Sequence, residues 1–521
     1  MAAFFEKRSV KLVVCILALL TSLSFYLWGV TLTDNYFWIY RCRFPEEVVM
    51  CLLSLMGMKA WLTTFGFTLL SSRILAWLLN VLSVVIPYWF LLKRGERARY
   101  IYYFCAALIV MGPGIAKCCT PDGFTALLLS MLIVAFVKFI QNPRKLLPAA
   151  LLAIFTALLT AMRFPNIVVV PFIAILMVLM MGKGQRKWCY AVSYVAFSLV
   201  LYWGVMTLLL GDTNCVARLG ESFAKETGNV NGRHTMMGLI LRYGKSVLLS
   251  LIALFSIGLS CFLSKRYFAE KKRVGFVLAV LLGTVLCYGI LGRIGMKFHS
   301  WPVCIAPLVC MSLLYVASQS FKGKNHTQAW LCVFLGLVIF VPSAGSDTGF
   351  QKSLMSACGI IPIALVLLKD KVRSMAYAHI ALTVMLLTSI FMYDDHITDN
   401  NAMSSKSKLA GIMLPKWQLE SNQKIEDSLK PYYKANHTIF YGLDAHYWYF
   451  YTDTHLLYNP GFWMLKDEEV ALTKAVKALQ SDPQNVLVDF THSNKDFFLK
   501  KGVKLVKETD QFSVYFCGVK K

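Results

Sequence analysis

Residues 12–32 form an apolar run, and similar runs recur along the next 360 or so positions. Their centres fall near Leu82, Ala107, Leu129, Phe155, Ile173, Phe197, Ala253, Leu282, Val309, Leu335, Ala364 and Leu382. At roughly 20 residues per crossing, this pattern predicts about thirteen membrane-spanning helices. The first run follows a basic N-terminal stretch without a small-residue cleavage site, so it is predicted to remain as an uncleaved span. Between Glu47 and Leu70 the apolar character is broken by Gly57, Lys59 and Gly66. That segment is predicted to lie along the outer interface as one or two surface helices.

The period changes near the C-terminus. "MYDDHITDNNAMSSKSK" is polar and turn-rich, a linker in character. Gln418 to Tyr433 and "DEEVALTKAVKALQ" carry helical spacing, and "NKDFFLKKG" is a shorter helix. "HTIFYGL", "NVLVDF", "VKLVKE" and "FSVYFC" are predicted strands. The expected organisation is a membrane domain over 1–393, a linker over 394–417 and an α/β domain over 418–521, outside the cytoplasm. The aromatic stretch Leu443 to Trp463 suits either sugar stacking or a packed junction between domain and membrane.

Composition agrees with this layout: 57% of the 521 residues are hydrophobic and mean hydropathy is +0.58. The net charge of +25 does not signal nucleic acid. From Asp394 onward 16 basic residues balance 16 acidic ones, which leaves 37 basic against 12 acidic residues in the first 393. Alternate connections carry clusters such as Lys7/Arg8/Lys11, Lys93/Arg94/Arg97/Arg99 and Lys183/Arg186/Lys187, marking the cytoplasmic side. Further cations fall on the opposite side, among them Arg163, Arg293 and Lys297, and suit an anionic ligand at the membrane surface. The 15 cysteines lack metal-type spacing and fall mostly within apolar runs, so neither a metal nor a disulfide framework is expected.

With so few carboxylates in the membrane domain, three at outer ends of spans stand out: Asp34 in "TDNYFWIY", Asp122 in "TPDGF" and Asp347 in "SAGSDTGF". An ionised group at that depth is costly unless paired or wet, and is therefore a functional candidate. Asp122 also suits a helix start and Asp347 a turn. Arg163 in "AMRFPN" interrupts a long apolar run, and Arg73 in "SSRILAW" enters the second span at the same level. Either guanidinium could fork onto a phosphate or carboxylate.

In order, "TDNYFWIY", "SSRILAWLLNVLSVVIPYWFLLKR", "TPDGFTALLLSMLIVAF" and "ALLTAMRFPNIVVVPFIAIL" resemble the GT-C superfamily of polyprenyl-phosphate-sugar-dependent glycosyltransferases. The likeness is greatest to the lipid A aminoarabinose transferases and protein O-mannosyltransferases. It implies a polytopic α-helical fold of thirteen spans with an α/β domain on the extracytoplasmic side, in a bacterial inner membrane. It also implies a polyprenyl-phosphate-linked sugar donor, an extracytoplasmic acceptor (glycan, lipid or protein), contact with membrane lipids, and no cofactor. Asp34 takes the place of the first-loop catalytic carboxylate and Asp122 that of a second acidic residue. Asn35 departs from the acidic pair frequent in that loop. Arg73, Arg163, Arg293, Lys297 and Asp347 are the substrate-binding candidates. Two other classes share the polytopic, outwardly basic pattern: an O-antigen ligase or polymerase acting on a lipid-diphosphate glycan, and a transporter of lipid or glycan.

Overall fold

The computed structural model describes residues 7–29, 34–114, 119–143, 145–181, 186–229, 236–267, 305–346, 349–368 and most of 402–454 and 468–517. The expected spans near Leu282 and Leu382, and the candidates Arg293, Lys297 and Asp347, lie outside the described residues.

Each of the other expected apolar centres falls in a helix. In chain order the helices are α1 (Arg8–Tyr26), α2 (Asp34–Arg41), α3 (Leu52–Phe65), α4 (Leu69–Leu91), α5 (Arg94–Arg99), α6 (Ile101–Gly114) and α7 (Pro121–Gln141). There follow α8 (Leu146–Met162), α9 (Val169–Met180), α10 (Arg186–Leu210), α11 (Cys215–Asn229), α12 (Met236–Tyr267), α13 (Ile305–Lys322), α14 (His326–Val338) and α15 (Leu354–Leu368). Starts are fixed locally. The Thr68 hydroxyl accepts from Ser71 N at 3.1 Å to cap α4, and Pro121 opens α7, where no amide donor is needed.

Among the described residues, five helices are long and apolar enough to cross a bilayer: Arg8–Tyr26, Leu69–Leu91, Pro121–Gln141, Lys187–Leu210 and His326–Ser343. Their outer faces expose large side chains such as Leu12, Leu17, Trp89, Val192 and Val200. Water would not tolerate that surface, whereas lipid does. The protein is an integral membrane protein.

Helices pack as neighbours in several pairs: α1 on α6, α4 on α7, α7 on α8, and α15 on α4, α6 and α13. Between hydrocarbon-facing helices the attraction comes from close packing, so small residues sit at contacts. At Gly359 a Cβ would lie 2.8 Å from Ser83 O, and only glycine lets α15 approach α4 so closely. Phe136 and Phe334, with ring centres 4.0 Å apart, and stacked Tyr88 and Phe104, at 4.3 Å, fill the interior.

The C-terminal region contains β1 (Ala402–Met403), β2 (Met413–Leu414), α16 (Lys416–Leu429), β3 (Thr438–Tyr441), α17 (Ala445–Tyr451), α18 (Glu468–Gln480), β4 (Val486–Asp489), α19 (Lys495–Lys500), β5 (Val503–Glu508) and β6 (Ser513–Cys517). Four strands form one sheet in the order β3-β4-β6-β5, with β3 and β4 parallel and the other pairs antiparallel. Every predicted strand and helix of this region is present. Just before it, residues 402–414 pair with one another and with the first helix's exit. β1 pairs with β2, and Met413 pairs in turn with the chain leaving α1: Gly29 N donates to Met413 O at 2.9 Å and Met413 N to Leu27 O at 2.8 Å. Leu69 N also donates to Lys408 O at 3.0 Å, so the start of α4 is tied to the same segment.

The aromatic stretch resolves as a packed junction where it is described. Tyr447, Tyr449 and Phe450 of α17 meet Tyr36 and Tyr40 of α2, with ring centres 4.8–5.3 Å apart.

Candidate active site at one end of the helix bundle

Asp122 occupies the second position of α7 and is 7% exposed. Its carboxylate faces two cations. Lys352 Nζ lies 2.9 Å from Oδ2, and Arg163 Nε lies 3.9 Å from Oδ1. Oδ1 itself is buried and accepts no hydrogen bond among the described residues. Among the described residues, two positive groups around one carboxylate leave the cluster with a net charge of +1. In a site this shielded from water, a second anion is the natural complement.

Arg163, 8% exposed, follows the last turn of α8 and precedes a short 3-10 turn, Phe164–Val168. Its Nη1 donates to Pro342 O at 2.7 Å, so one arm of the fork is committed to the backbone. The turn is fastened to α7 one helical turn beyond Asp122: Asn166 Nδ2 donates to Thr125 Oγ1 at 3.1 Å and to Leu159 O at 2.9 Å. The Ser54 hydroxyl of α3 donates to Met162 O at 3.1 Å and closes the frame from the other side.

Lys352 was not among the sequence-based candidates. It lies in a second 3-10 turn, Gly349–Ser353, just before α15. Gly349 has a φ of 62° and abuts Ser246 of α12, where a Cβ would approach Ser246 Oγ to 2.1 Å. The Ser343 and Ser353 hydroxyls are 2.6 Å apart and join the Lys352 turn to the strand of chain whose Pro342 carbonyl receives Arg163. The signal that could have found Lys352 is its charge: it is a lone cation close to an apolar helix and outside the basic clusters of the alternate connections.

Arg73 takes a different place from the one expected. It has 0% exposure, and its Nη1 and Nη2 donate to the carbonyls of Tyr26, at 2.9 Å, and Gly29. These are carbonyls at the C-terminal end of α1, where a cation also complements the helix dipole. Asn80 adds a hydrogen bond to the Tyr26 hydroxyl. Arg73 therefore braces the exit of the first span from beneath, and its fork is spent on backbone oxygens. One residue earlier, the Ser72 hydroxyl accepts from Cys119 N at 3.2 Å, linking α4 to the chain that enters α7 at Asp122.

Asp34 is the first residue of α2, the short helix just beyond the α1 exit. Asp122, Arg163 and Lys352 form one cluster, and Arg73 holds the end of α1. Ser72 and Cys119 connect the two groups. At the far end of α1, Lys11 Nζ donates to Ala98 O at 3.1 Å, bringing two of the predicted cytoplasmic segments together away from this site. Among the described residues, no group of three or more His, Cys, Asp or Glu side chains is arranged to hold a metal.

The chain matches no protein-family profile and no curated protein. It is similar to the crystal structure of ArnT from Cupriavidus metallidurans in the apo state over 97% of this chain and 97% of that one, with 12% identity and a TM-score of 0.45. With ArnT from the same organism bound to undecaprenyl phosphate the figures are 98%, 98%, 12% and 0.42.

Proposed function

We propose that this protein is an inverting glycosyltransferase of the GT-C type, moving a sugar from a polyprenyl-phosphate donor to an extracytoplasmic acceptor. The observation that carries the reading is the Asp122–Lys352–Arg163 cluster. It is a largely shielded group with surplus positive charge, set at the ends of apolar helices where a lipid-anchored phosphate would enter. Asp34 opens a short helix just beyond the end of α1. The proposal includes thirteen spans, a bacterial inner membrane, and a site and C-terminal domain facing the periplasm, in keeping with the alternation of basic connections.

In the proposed reaction an acceptor hydroxyl oxygen attacks the anomeric carbon from the face opposite the lipid phosphate. The carbon–oxygen bond to phosphate breaks, and the electron pair leaves on the phosphate oxygen. Asp34 takes the hydroxyl proton as general base, an effect of typically ~10²–10⁴-fold. Cations near the leaving oxygen stabilise its charge as it develops. Lys352 and the uncommitted arm of Arg163 fit that role, with Arg293 and Lys297 as further donors and Asp347 as a contact to the sugar. Asp122 orients these cations. The leaving phosphate is already weakly basic and needs no general acid.

The test is transfer from a synthetic polyprenyl-phosphate sugar by purified protein in detergent or nanodiscs. Asp34→Asn keeps size and removes basicity, and should lower turnover by roughly a hundredfold or more while donor binding persists. Full turnover by Asp34→Asn would remove Asp34 as the base.

A further inference from the structure

Among the described residues, the C-terminal region touches the chain on both sides of Asp34. Upstream, Met413 forms its paired hydrogen bonds with Leu27 and Gly29 at the exit of α1. Downstream, α17 lies on α2. Within that second contact His446 has a particular placement. Its ring meets Phe37 edge-on, with centres 5.3 Å apart at 71°, and Tyr40 at 5.6 Å and 71°. Phe37 and Tyr40 are three residues apart, so they are neighbours along one side of α2. A ring wedged between positions i and i+3 resists rotation of the helix about its axis. Asp34 opens the same eight-residue helix, one turn before Phe37.

We infer that His446 is a positioning residue: the C-terminal domain uses its ring to fix the rotation of α2 and thereby the placement of Asp34. This rests on the reading of Asp34 as the base. His446 acts by shape. It is 3% exposed, its Nε2 accepts or donates no hydrogen bond among the described residues, and burial together with the Arg41 guanidinium lowers its pKa to about 3. The ring is therefore neutral at physiological pH, and another flat ring should serve as well. The neighbouring aromatics are less dispensable within the domain. The Tyr449 hydroxyl accepts from Phe440 N at 2.8 Å, and the Tyr447 hydroxyl accepts from Asn422.

Catalysis by a positioned base is sensitive to displacements of about 1 Å, which can cost on the order of a hundredfold. Four purified proteins test the inference by transfer from a synthetic polyprenyl-phosphate sugar: His446→Ala, His446→Phe, Asp34→Asn and the double variant His446→Ala/Asp34→Asn. His446→Ala should lower kcat about tenfold or more and leave the donor KM nearly unchanged, and His446→Phe should restore kcat. In the Asp34→Asn background, His446→Ala should have almost no further effect, because the group it positions has already lost its function. An unchanged kcat in His446→Ala, or an equal loss in both backgrounds, overturns the inference while Asp34→Asn remains impaired. Full activity of Asp34→Asn overturns the reading of the base instead. Should His446→Ala fail to elute as a folded species, His446→Leu, which keeps volume but not the flat ring, takes its place with the same expected outcomes.

Discussion

Lys352 Nζ lies 2.9 Å from Asp122 Oδ2, joining the start of α7 to the turn before α15 across most of the membrane domain's sequence. Asp122 is nearly enclosed and Lys352 about a quarter exposed, so removing the lysine leaves a shielded carboxylate with only the more distant Arg163. Lys352→Met should destabilise the protein by about 1–3 kcal/mol, less than the cost of breaking a fully buried pair. Adding Asp122→Asn should recover part of that loss. Thermal unfolding in detergent checks both, and an unchanged midpoint in Lys352→Met would remove the ion pair as a structural contributor.

Arg73 holds two carbonyls at the exit of α1 with a geometry that an ammonium cannot copy. Arg73→Lys keeps the charge but should satisfy only one oxygen at a time. Turnover is expected to fall about tenfold, with donor affinity changed far less, since the site is displaced and no donor contact is lost. Steady-state kinetics with a titrated donor separates the two. A selective loss of donor affinity would return Arg73 to the substrate-binding set.

Gly349 combines a φ of 62° with a close approach to Ser246. Gly349→Ala should cost about 1–2 kcal/mol for the backbone conformation alone. The collision with the Ser246 side chain adds to that cost. Ser246→Gly in the same protein should relieve the collision and leave the backbone cost. Because Lys352 is three residues on, activity should fall with stability and recover only in part. Wild-type melting of Gly349→Ala would show that the turn rearranges freely.

His446 gives the stability of the protein a defined pH dependence. Its folded pKa of about 3 lies below the ordinary value of 6.5, with burial the larger cause and Arg41 the second. Between those values the unfolded chain binds a proton that the folded one does not. The stability that His446 contributes is therefore complete above about pH 6.5 and declines as pH falls toward 3, with a slope approaching ~1.4 kcal/mol per pH unit from this group. His446→Phe should flatten that slope by about one proton. Chemical denaturation at several pH values measures it, and equal slopes would show that the histidine is not held neutral.

Topology can be read with single cysteines. Met403 and Gly95 are both exposed, on the C-terminal segment and on the basic helix α5 respectively. In a background without reactive cysteines, Met403→Cys should react with an impermeant maleimide added to intact cells. Gly95→Cys should react only after permeabilisation. Labelling of both from outside would contradict the proposed orientation.

Features that depend on local pattern are legible in the order of residues. Long apolar runs can only be helices in or along a membrane, because each backbone amide must be satisfied within its own segment. Leu69–Leu91 and Pro121–Gln141 were legible for that reason, and Val486–Asp489 and Ser513–Cys517 were legible from short β-rich runs bounded by turns. Asp122 and Arg163 could be singled out because charge is rare at apolar helix ends. What reaches such charges follows from how distant segments pack. The partner of Asp122 lies on a turn whose sequence, "GFQKS", carries no pattern beyond one lysine. Arg73 read as a ligand for substrate because its spacing says nothing about the carbonyls of Tyr26 and Gly29 packed above it. The aromatic stretch had two readings until α17 was placed on α2, since stacking rings serve a sugar or one another equally well. Pairings across such sequence distances depend on how whole helices dock, and no local periodicity records that.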